Sequence, residues 1–97
     1  MRREGDVLIL ESELTLEHAA RLLAQGSDEI ANGARVVDFA HVGKVDSSAL
    51  SLMLAWRRRA QAARRSLAFR NVPASLTSLA NLYGVSELIR SQDATAP

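Results

Sequence analysis

The sequence predicts a single α/β domain with a mostly parallel or mixed β-sheet and helices packed on it. Short runs of β-branched and aliphatic residues alternate with longer segments of helical periodicity, which indicates strand–helix repetition. The chain has 97 residues, enough for one domain and not for two. Hydrophobic residues make up 47% and charged residues 24%, as expected for a packed core with a solvated surface.

The first strand and helix are predicted from a change of hydrophobic spacing near residue 15. Residues 7–11 form a short apolar run bounded by polar residues, which is typical of a buried strand. A helix is predicted over residues 16–31, with Thr15 as N-cap and Asn32-Gly33 as the stop. Its apolar positions at helical spacing are Leu16, Ala19, Ala20 and Leu23.

The remaining elements continue the alternation of strands and helices. They are a strand at 34–39, a loop at 40–45, a helix at 47–65, a strand at 66–70, a helix beginning at Pro73 with apolar positions Leu76, Leu79, Ala80 and Tyr83, and a last turn at 86–89. Parallel strands need such crossover connections, so most of the sheet is predicted to be parallel. The domain is predicted to occupy residues 1–90, and the polar residues 91–97 to form a disordered tail.

Composition and charge narrow the classes of function. No apolar run approaches the roughly 20 residues that a membrane-spanning helix needs, and no signal peptide is recognisable. The net charge of +1 argues against a nucleic-acid binder. Five arginines nevertheless crowd one segment. They are Arg57, Arg58, Arg59, Arg64 and Arg65. They indicate either a solvated helix end or a contact with an acidic partner, and a contact with nucleic acid or anionic lipid is a third interpretation.

No combination of residues indicates an enzyme, a metal site or a bound cofactor. The chain has no cysteine, and its two histidines, His18 and His41, lack the spacing of metal ligands. Neither GxxxxGK[ST] nor GxGxxG is present. A triad of Ser47, His41 and Asp46 can be drawn on paper, but nothing in the sequence positions an oxyanion hole. We therefore expect a non-enzymatic domain.

The helix predicted from Ser47 carries two stripes of residues. One is a normal buried face, comprising Ala49, Leu52, Met53, Trp56, Ala60 and Ala63. The other is turned away from it and mixes leucines with hydroxyl groups and arginines, comprising Ser47, Leu50, Ser51, Leu54 and Arg58, with Arg57 beside it. An apolar patch with a polar rim is typical of a protein-docking surface. The alternative is that the leucines belong to the margin of the core.

The start of this helix also allows two interpretations. Asp46, Ser47 and Ser48 are all good N-cap residues, so one of them can cap the helix while the others fill its first turn. Alternatively, Ser47 is an exposed contact or modification point. A phosphate on Ser47 would meet free backbone N–H groups and the positive end of the helix dipole.

The segment VVDFAHVGKVDSSALSLML, residues 36–54, resembles the signature of STAS domains, the sulphate transporter and anti-sigma antagonist family. In that family a hydrophobic strand ending in Asp leads through a short loop to an Asp-Ser/Thr-Ser/Gly-Gly/Ala-Leu helix start. The resemblance implies a STAS-type fold over nearly the whole chain. It also implies one of two functions.

In anti-sigma factor antagonists, the serine that matches Ser47 is phosphorylated by a kinase that is itself the anti-sigma factor. In the small STAS subunit of the Mla-type phospholipid ABC transporter, the matching residue lies in the interface with the cytoplasmic ATPase. The resemblance to the transporter subunit implies an ATPase-binding site at Asp46, Ser47, Ser48, Leu50, Ser51, Leu54, Arg57 and Arg58. It further implies a cytoplasmic protein held at the inner membrane only through its partner, without direct membrane insertion.

Three features favour the transporter subunit. The short chain is predicted to lack the additional N-terminal strand of the antagonists, and Ala49 replaces the glycine of their DSSGL motif. The segment LTSLANLYGVSEL, residues 76–88, resembles the LAKLY-type ending of the transporter subunits. Ser47-Ser48 points the other way, because familiar transporter subunits have Thr-Gly there.

Overall fold

A computed structural model describes residues 1–89 of the chain, so the tail predicted at 91–97 lies outside the described residues. The elements in chain order are β1 (Arg2–Glu4), β2 (Val7–Ile9), α1 (Leu16–Ala31), β3 (Val36–Asp38), α2 (Ser48–Ala62), β4 (Ala68–Arg70), α3 (Ala74–Leu82) and α4 (Ser86–Ile89). The predicted α/β class with a mixed sheet is confirmed, and α1 has the predicted bounds.

The sheet has the strand order β1-β2-β3-β4, with β1 antiparallel to β2 and the other neighbours parallel. The predicted absence of an additional N-terminal strand is therefore wrong. Gly5, at φ 63°, and Asp6 form a two-residue turn between β1 and β2. A Gly-Asp pair between two short runs is a hairpin signal as well as a strand boundary.

The helix-covered face of the sheet carries the core. The paired residues Leu8, Val37 and Phe69 lie in one row across β2, β3 and β4, and each is at most 1% exposed. Phe39 meets Phe69 edge to face, with 5.9 Å between ring centroids. Leucine, valine and two phenylalanines thus form the part of the core that the sheet contributes.

The opposite face carries a charged pair at the ends of β3 and β4. The carboxylate of Asp38 accepts a hydrogen bond of 2.9 Å from the guanidinium of Arg70, its partner in the strand register. It also accepts bonds from the Asn71 side chain and the backbone N–H of Ala40. Burial works to raise the pKa of Asp38, but these bonds outweigh burial and hold the pKa below its usual value.

The middle helix of the helical layer is α2, which contacts α1 as well as α3 and α4. Trp56 of α2 is fully buried and lies against Gly26 in the middle of α1. A Cβ atom at position 26 would come within 2.4 Å of the indole ring, so only glycine allows this approach. The indole N–H donates a long hydrogen bond of 3.4 Å to the carbonyl of Leu23.

Several of the predicted apolar positions are exposed in the structure. Leu16 and Leu23 of α1 are exposed, whereas Leu22, Gly26 and Ile30 of that helix are buried. Ala63, the C-cap of α2, and Tyr83, the C-cap of α3, are also exposed. Ala63 was the one predicted on a buried face. Periodicity defines the phase of a helix but not the side that its neighbours cover.

Candidate functional site

The starts of α1 and α2 lie side by side because residues 14 and 45 form a parallel β-bridge. The N–H of Leu14 donates to the Lys44 carbonyl, and the N–H of Asp46 donates to the Leu14 carbonyl. Asp46 then joins both helix starts. One of its carboxylate oxygens accepts from the N–H of Leu16 at 3.0 Å, and the other accepts from the N–H of Ser48 at 2.8 Å.

Asp46 is therefore the residue that caps, and it serves two helices. Thr15 occupies the N-cap position of α1 and Ser47 that of α2, but neither side chain forms a capping hydrogen bond. The backbone N–H of Leu16, followed by Ser48, holds the pKa of Asp46 below its usual value despite an opposing effect of burial. The carboxylate is ionised at neutral pH and stays between the two helix starts.

Ser47 is exposed and already has helical backbone angles, with φ −63° and ψ −18°. Its carbonyl accepts the N–H of Leu50, which is the first helical bond of its turn. Because Asp46 does the capping, the hydroxyl of Ser47 is available for contact or modification. Ser48 is half-buried and faces α1.

A groove of about 330 Å³ runs along one side of the first half of α2. We call it the tyrosine groove, and it is lined by Ser47, Leu50, Ser51, Leu54, Tyr83 and Val85. Tyr83 is 59% exposed, and Leu50 is only 4% exposed because it forms the floor. Four of the predicted contact residues thus lie together, with two hydroxyl groups on the ridge of α2 and apolar side chains below.

A second groove of about 380 Å³ lies on the other side of α2, between α2 and α1. We call it the leucine groove, and it is lined by Leu16, Ala19, Ala20, Leu23, Ser48, Ser51, Leu52 and Ala55. Ser51 borders both grooves. Leu16, Leu23 and Tyr83 are three of the five large apolar side chains that are exposed among the described residues. The first half of α2 is therefore a narrow ridge between two apolar grooves.

The structure does not bring all eight predicted site residues onto one surface. Leu50 belongs to the core cluster and offers only the floor of a groove, so its prediction as a surface contact needs this correction. Arg58 is exposed one turn beyond Leu54. Arg57 is half-buried and lines a different, polar pocket, so it is separated from the ridge formed by Ser47 and Ser51.

Leu16, Leu23 and Tyr83 are surface residues that could not be identified as such from the sequence. Their signal was present, since each is a large apolar residue at the end or margin of a helical stripe. It could not be separated from the signal of a core residue, because the deciding fact is which neighbouring element covers that side. In the structure Leu16 is 76% exposed at the first position of α1.

The geometry does not assemble the triad that can be drawn on paper. Both carboxylate oxygens of Asp46 accept backbone N–H groups, and no hydrogen bond joins His41 to Ser47 or Asp46 within residues 1–89. The same residues contain no group of three or more acidic or histidine side chains placed to hold a metal ion. No helix in this part of the chain is long and apolar enough to cross a membrane.

The four-stranded mixed sheet, with an Asp-Ser-Ser segment at the start of its middle helix, defines a STAS-type domain. A family model described as "Mlab, STAS domain" matches residues 1–90. The chain therefore belongs to the STAS domain family. A search of curated proteins finds no match.

Solved structures of anti-sigma factor antagonists share the fold. A Thermotoga maritima protein described as a candidate antagonist superposes with a TM-score of 0.73 at 18% identity, covering 93% of this chain and 81% of that one. The phosphorylated Bacillus cell fate determinant SpoIIAA gives a TM-score of 0.62 at 22% identity, covering 88% and 79%. Unphosphorylated SpoIIAA gives 0.62 at 20% identity, covering 84% and 79%. At these identities the likeness concerns the fold.

Proposed function

We propose that the chain is a non-enzymatic accessory subunit that binds the cytoplasmic ATPase of an Mla-type phospholipid ABC transporter through the first half of α2. The observation that carries this proposal is the ridge of Ser47 and Ser51 between two apolar grooves. A partner would bring the chain to the cytoplasmic side of the inner membrane.

The chemistry of the ridge suits a close protein contact. The segment from Ser48 to Trp56 contains no charged residue. Fully buried centres of interfaces are depleted of charge, and a tyrosine at the edge supplies large contact area with a polar end. Arg58 stands at the rim, where a charge can steer an acidic partner without being desolvated. The two grooves offer complementary recesses for apolar side chains of the partner.

The transporter is favoured over other partners by the matched family, whose description carries the name Mlab. Ala49 and the segment 76–88 support the same choice, since both resemble the transporter subunits more than the antagonists. The predicted lack of an additional N-terminal strand gives no support, because β1 precedes β2.

The subunit would act by selecting a conformation of its partner. A rigid ridge that fits one arrangement of the ATPase better than another shifts the population toward that arrangement. Nucleotide turnover then rises when the subunit is bound, and no residue of this chain takes part in the chemistry. The Asp46 bridge keeps α1 and α2 in register, so both grooves are presented as one surface.

The experiment is co-purification of tagged variants from native cells in mild detergent, followed by ATPase assays of the complexes. Ser47→Arg places a long cation at the centre of the proposed contact. Burying it without a partner typically costs about 3–5 kcal/mol, which corresponds to a loss of affinity of about 100-fold or more. The matched control is Ser75→Arg, because Ser75 is exposed in the first turn of α3 and lines neither groove.

We expect the wild type and Ser75→Arg to retain an ABC ATPase and permease and to raise ATPase turnover. Ser47→Arg should be folded, as judged by circular dichroism, and should lose both effects. A folded Ser47→Arg variant that still binds the ATPase normally would contradict the proposed surface. Recovery of a different partner, which Ser47→Arg no longer binds, would support the proposed docking surface but contradict the proposed transporter partner.

A second candidate function is an anti-sigma factor antagonist controlled by phosphorylation of Ser47. It is favoured by the exposure of Ser47, by its unused hydroxyl at a helix start, and by the presence of β1. A phosphate there would lie one residue from the Asp46 carboxylate and would add about −1.5 to −2 charge to an otherwise neutral ridge. Such a charge would oppose docking onto an apolar surface.

Mass spectrometry of Ser47 in the purified protein distinguishes the two functions. Phosphate on Ser47, together with a kinase-like anti-sigma factor that Ser47→Asp releases, would establish the switch. Unmodified Ser47 in a complex with an ATPase and permease would exclude the phosphorylation switch as the main role of the chain.

A further inference from the structure

A polar pocket of about 240 Å³ lies beside the second half of α2, beyond the tyrosine groove. We call it the arginine pocket, and it is lined by Arg57, Gln61, Arg65, Ser66 and Leu67. Arg57 and Gln61 are spaced four apart in α2, so they lie on one side of the helix. Arg65 follows the end of α2, after Arg64 at φ 58°. Arg65, Ser66 and Leu67 belong to the connection that leads into β4.

The lining offers hydrogen-bond donors and positive charge without a carboxylate. Two arginines, one glutamine and one serine line a common space, and their side chains carry guanidinium, amide and hydroxyl donors. Within residues 1–89, neither Arg57 nor Arg65 belongs to any of the ion pairs. The pocket therefore carries two positive charges that no acidic side chain of the described chain neutralises.

Two details show that the arginines are held in place. The Nε atom of Arg57 is buried and has no hydrogen-bond partner among the described residues, which is a costly state for a charged donor. One guanidinium nitrogen of Arg65 donates to the carbonyl of Ile30 at 2.8 Å, at the end of α1. Burial thus holds the Arg57 side chain in place, and a hydrogen bond to a backbone carbonyl holds the Arg65 side chain.

We propose that the arginine pocket binds the phosphate group of a small ligand. Guanidinium groups recognise phosphate with paired, charge-assisted hydrogen bonds, and the amide and hydroxyl supply further donors. The C-terminal end of α2 repels an anion, but its dipole is equivalent to only about half a negative charge, and the two arginines carry two full positive charges. Since a water molecule occupies about 30 Å³ in the liquid, the pocket has room for a phosphate and several waters.

This site does not depend on the proposed transporter function. It uses Arg57, Gln61, Arg65 and Ser66, none of which lines either groove of the docking ridge. The ligand could be inorganic phosphate or the phosphate of a larger molecule, and both present the same oxygen atoms to the pocket.

The test is a titration of the full-length protein with inorganic phosphate, followed by ¹H–¹⁵N NMR at constant ionic strength. We expect saturable shifts of the backbone amides of Gln61, Ser66 and Leu67, which sodium chloride does not reproduce. Arg57→Gln should weaken binding by about tenfold or more, because a charge-assisted hydrogen-bond pair is lost. The matched control is Arg59→Gln, an adjacent exposed arginine outside the pocket, which should change affinity by less than about twofold.

Shifts that do not saturate, or equal shifts with chloride, would overturn the proposal. So would equal phosphate affinity in Arg57→Gln and wild type. If Arg57→Gln does not fold, Ser66→Ala takes its place: weaker phosphate binding supports the site, and unchanged binding overturns it. A parallel titration with phosphoserine identifies the source, because tighter binding than inorganic phosphate indicates a larger phosphorylated ligand and weaker binding indicates the free ion.

Discussion

The two sides of α2 are packed in opposite ways. On the buried side, Trp56 fits against the backbone of Gly26 so closely that one added carbon atom has no room. On the exposed side, Ser47 and Ser51 form a ridge between grooves of about 330 and 380 Å³. One side of α2 therefore packs tightly in the core, and the other side borders two open grooves. Stability and binding should respond to different substitutions.

The largest effect is expected on the buried side. Trp56→Ala leaves a cavity beneath α1, and replacing a buried tryptophan by alanine typically costs about 3–5 kcal/mol of unfolding free energy. Urea unfolding measures this loss. Arg59→Ala, at an exposed position three residues further along α2, should stay within about 0.5 kcal/mol of wild type. Similar losses in the two variants would break the distinction between the sides.

A smaller loss of stability is expected for Gly26→Ala. Alanine improves helix propensity by about 1 kcal/mol, but overpacking against a rigid buried ring typically costs about 1–3 kcal/mol. Because the added Cβ would approach three ring atoms at 2.4–2.6 Å, we expect a net destabilisation. Combining Gly26→Ala with Trp56→Phe should cost less than the sum of the two single variants. Strict additivity in the urea midpoints would show that the two residues do not press on each other.

The smallest effect concerns the acid sensitivity of the exposed side. The pKa of Asp46 is lowered in the folded state, so its contribution to stability is present above the unfolded value of about 3.9 and is lost as pH falls through the folded pKa. Hydrogen exchange of the Leu16 and Ser48 amides, corrected for intrinsic exchange, should therefore accelerate as the pH falls through the folded pKa of Asp46. Asp46→Asn offers one acceptor oxygen instead of two and should show faster exchange at neutral pH with less dependence on acid. Identical pH profiles for wild type and variant would rule out this role of Asp46.

Much of the fold could be predicted because local patterns determine it. The spacing of apolar residues defined α1 and the buried stripe of α2, and Asn32-Gly33 marked the end of α1 as the structure has it. The hairpin at Gly5 was missed because a three-residue strand rich in charge, Arg2–Glu4, has no alternation to detect. Its pairing with β2 is decided by the turn, not by the strand.

The candidate site could be predicted only in outline. Sequence pointed to Ser47, Ser51 and Leu54, which do lie together, but it left Leu50 open between a docking patch and the margin of the core. It also gave Tyr83 only as an apolar position of its helix, without showing that the side chain is exposed. Both gaps have one cause. The segment from α3 to α4 covers the side of α2 that carries Leu50, and Tyr83 stands at the outer edge of that cover. Which side of a helix is covered depends on elements that lie more than 20 residues away in the chain, beyond the reach of local periodicity.

The order of strands in the sheet has a consequence for folding kinetics. Strands β1 to β4 lie in the sheet in the order in which they occur along the chain, so every strand pairs with its predecessor. No pairing waits for a segment from the other end of the molecule, and each loop to be closed is a short turn or a single helical crossover. The sheet can grow outward from the N-terminal hairpin one unit at a time. In that order of pairing β4 is added last. Its Phe69 then completes the row of buried side chains formed by Leu8 and Val37.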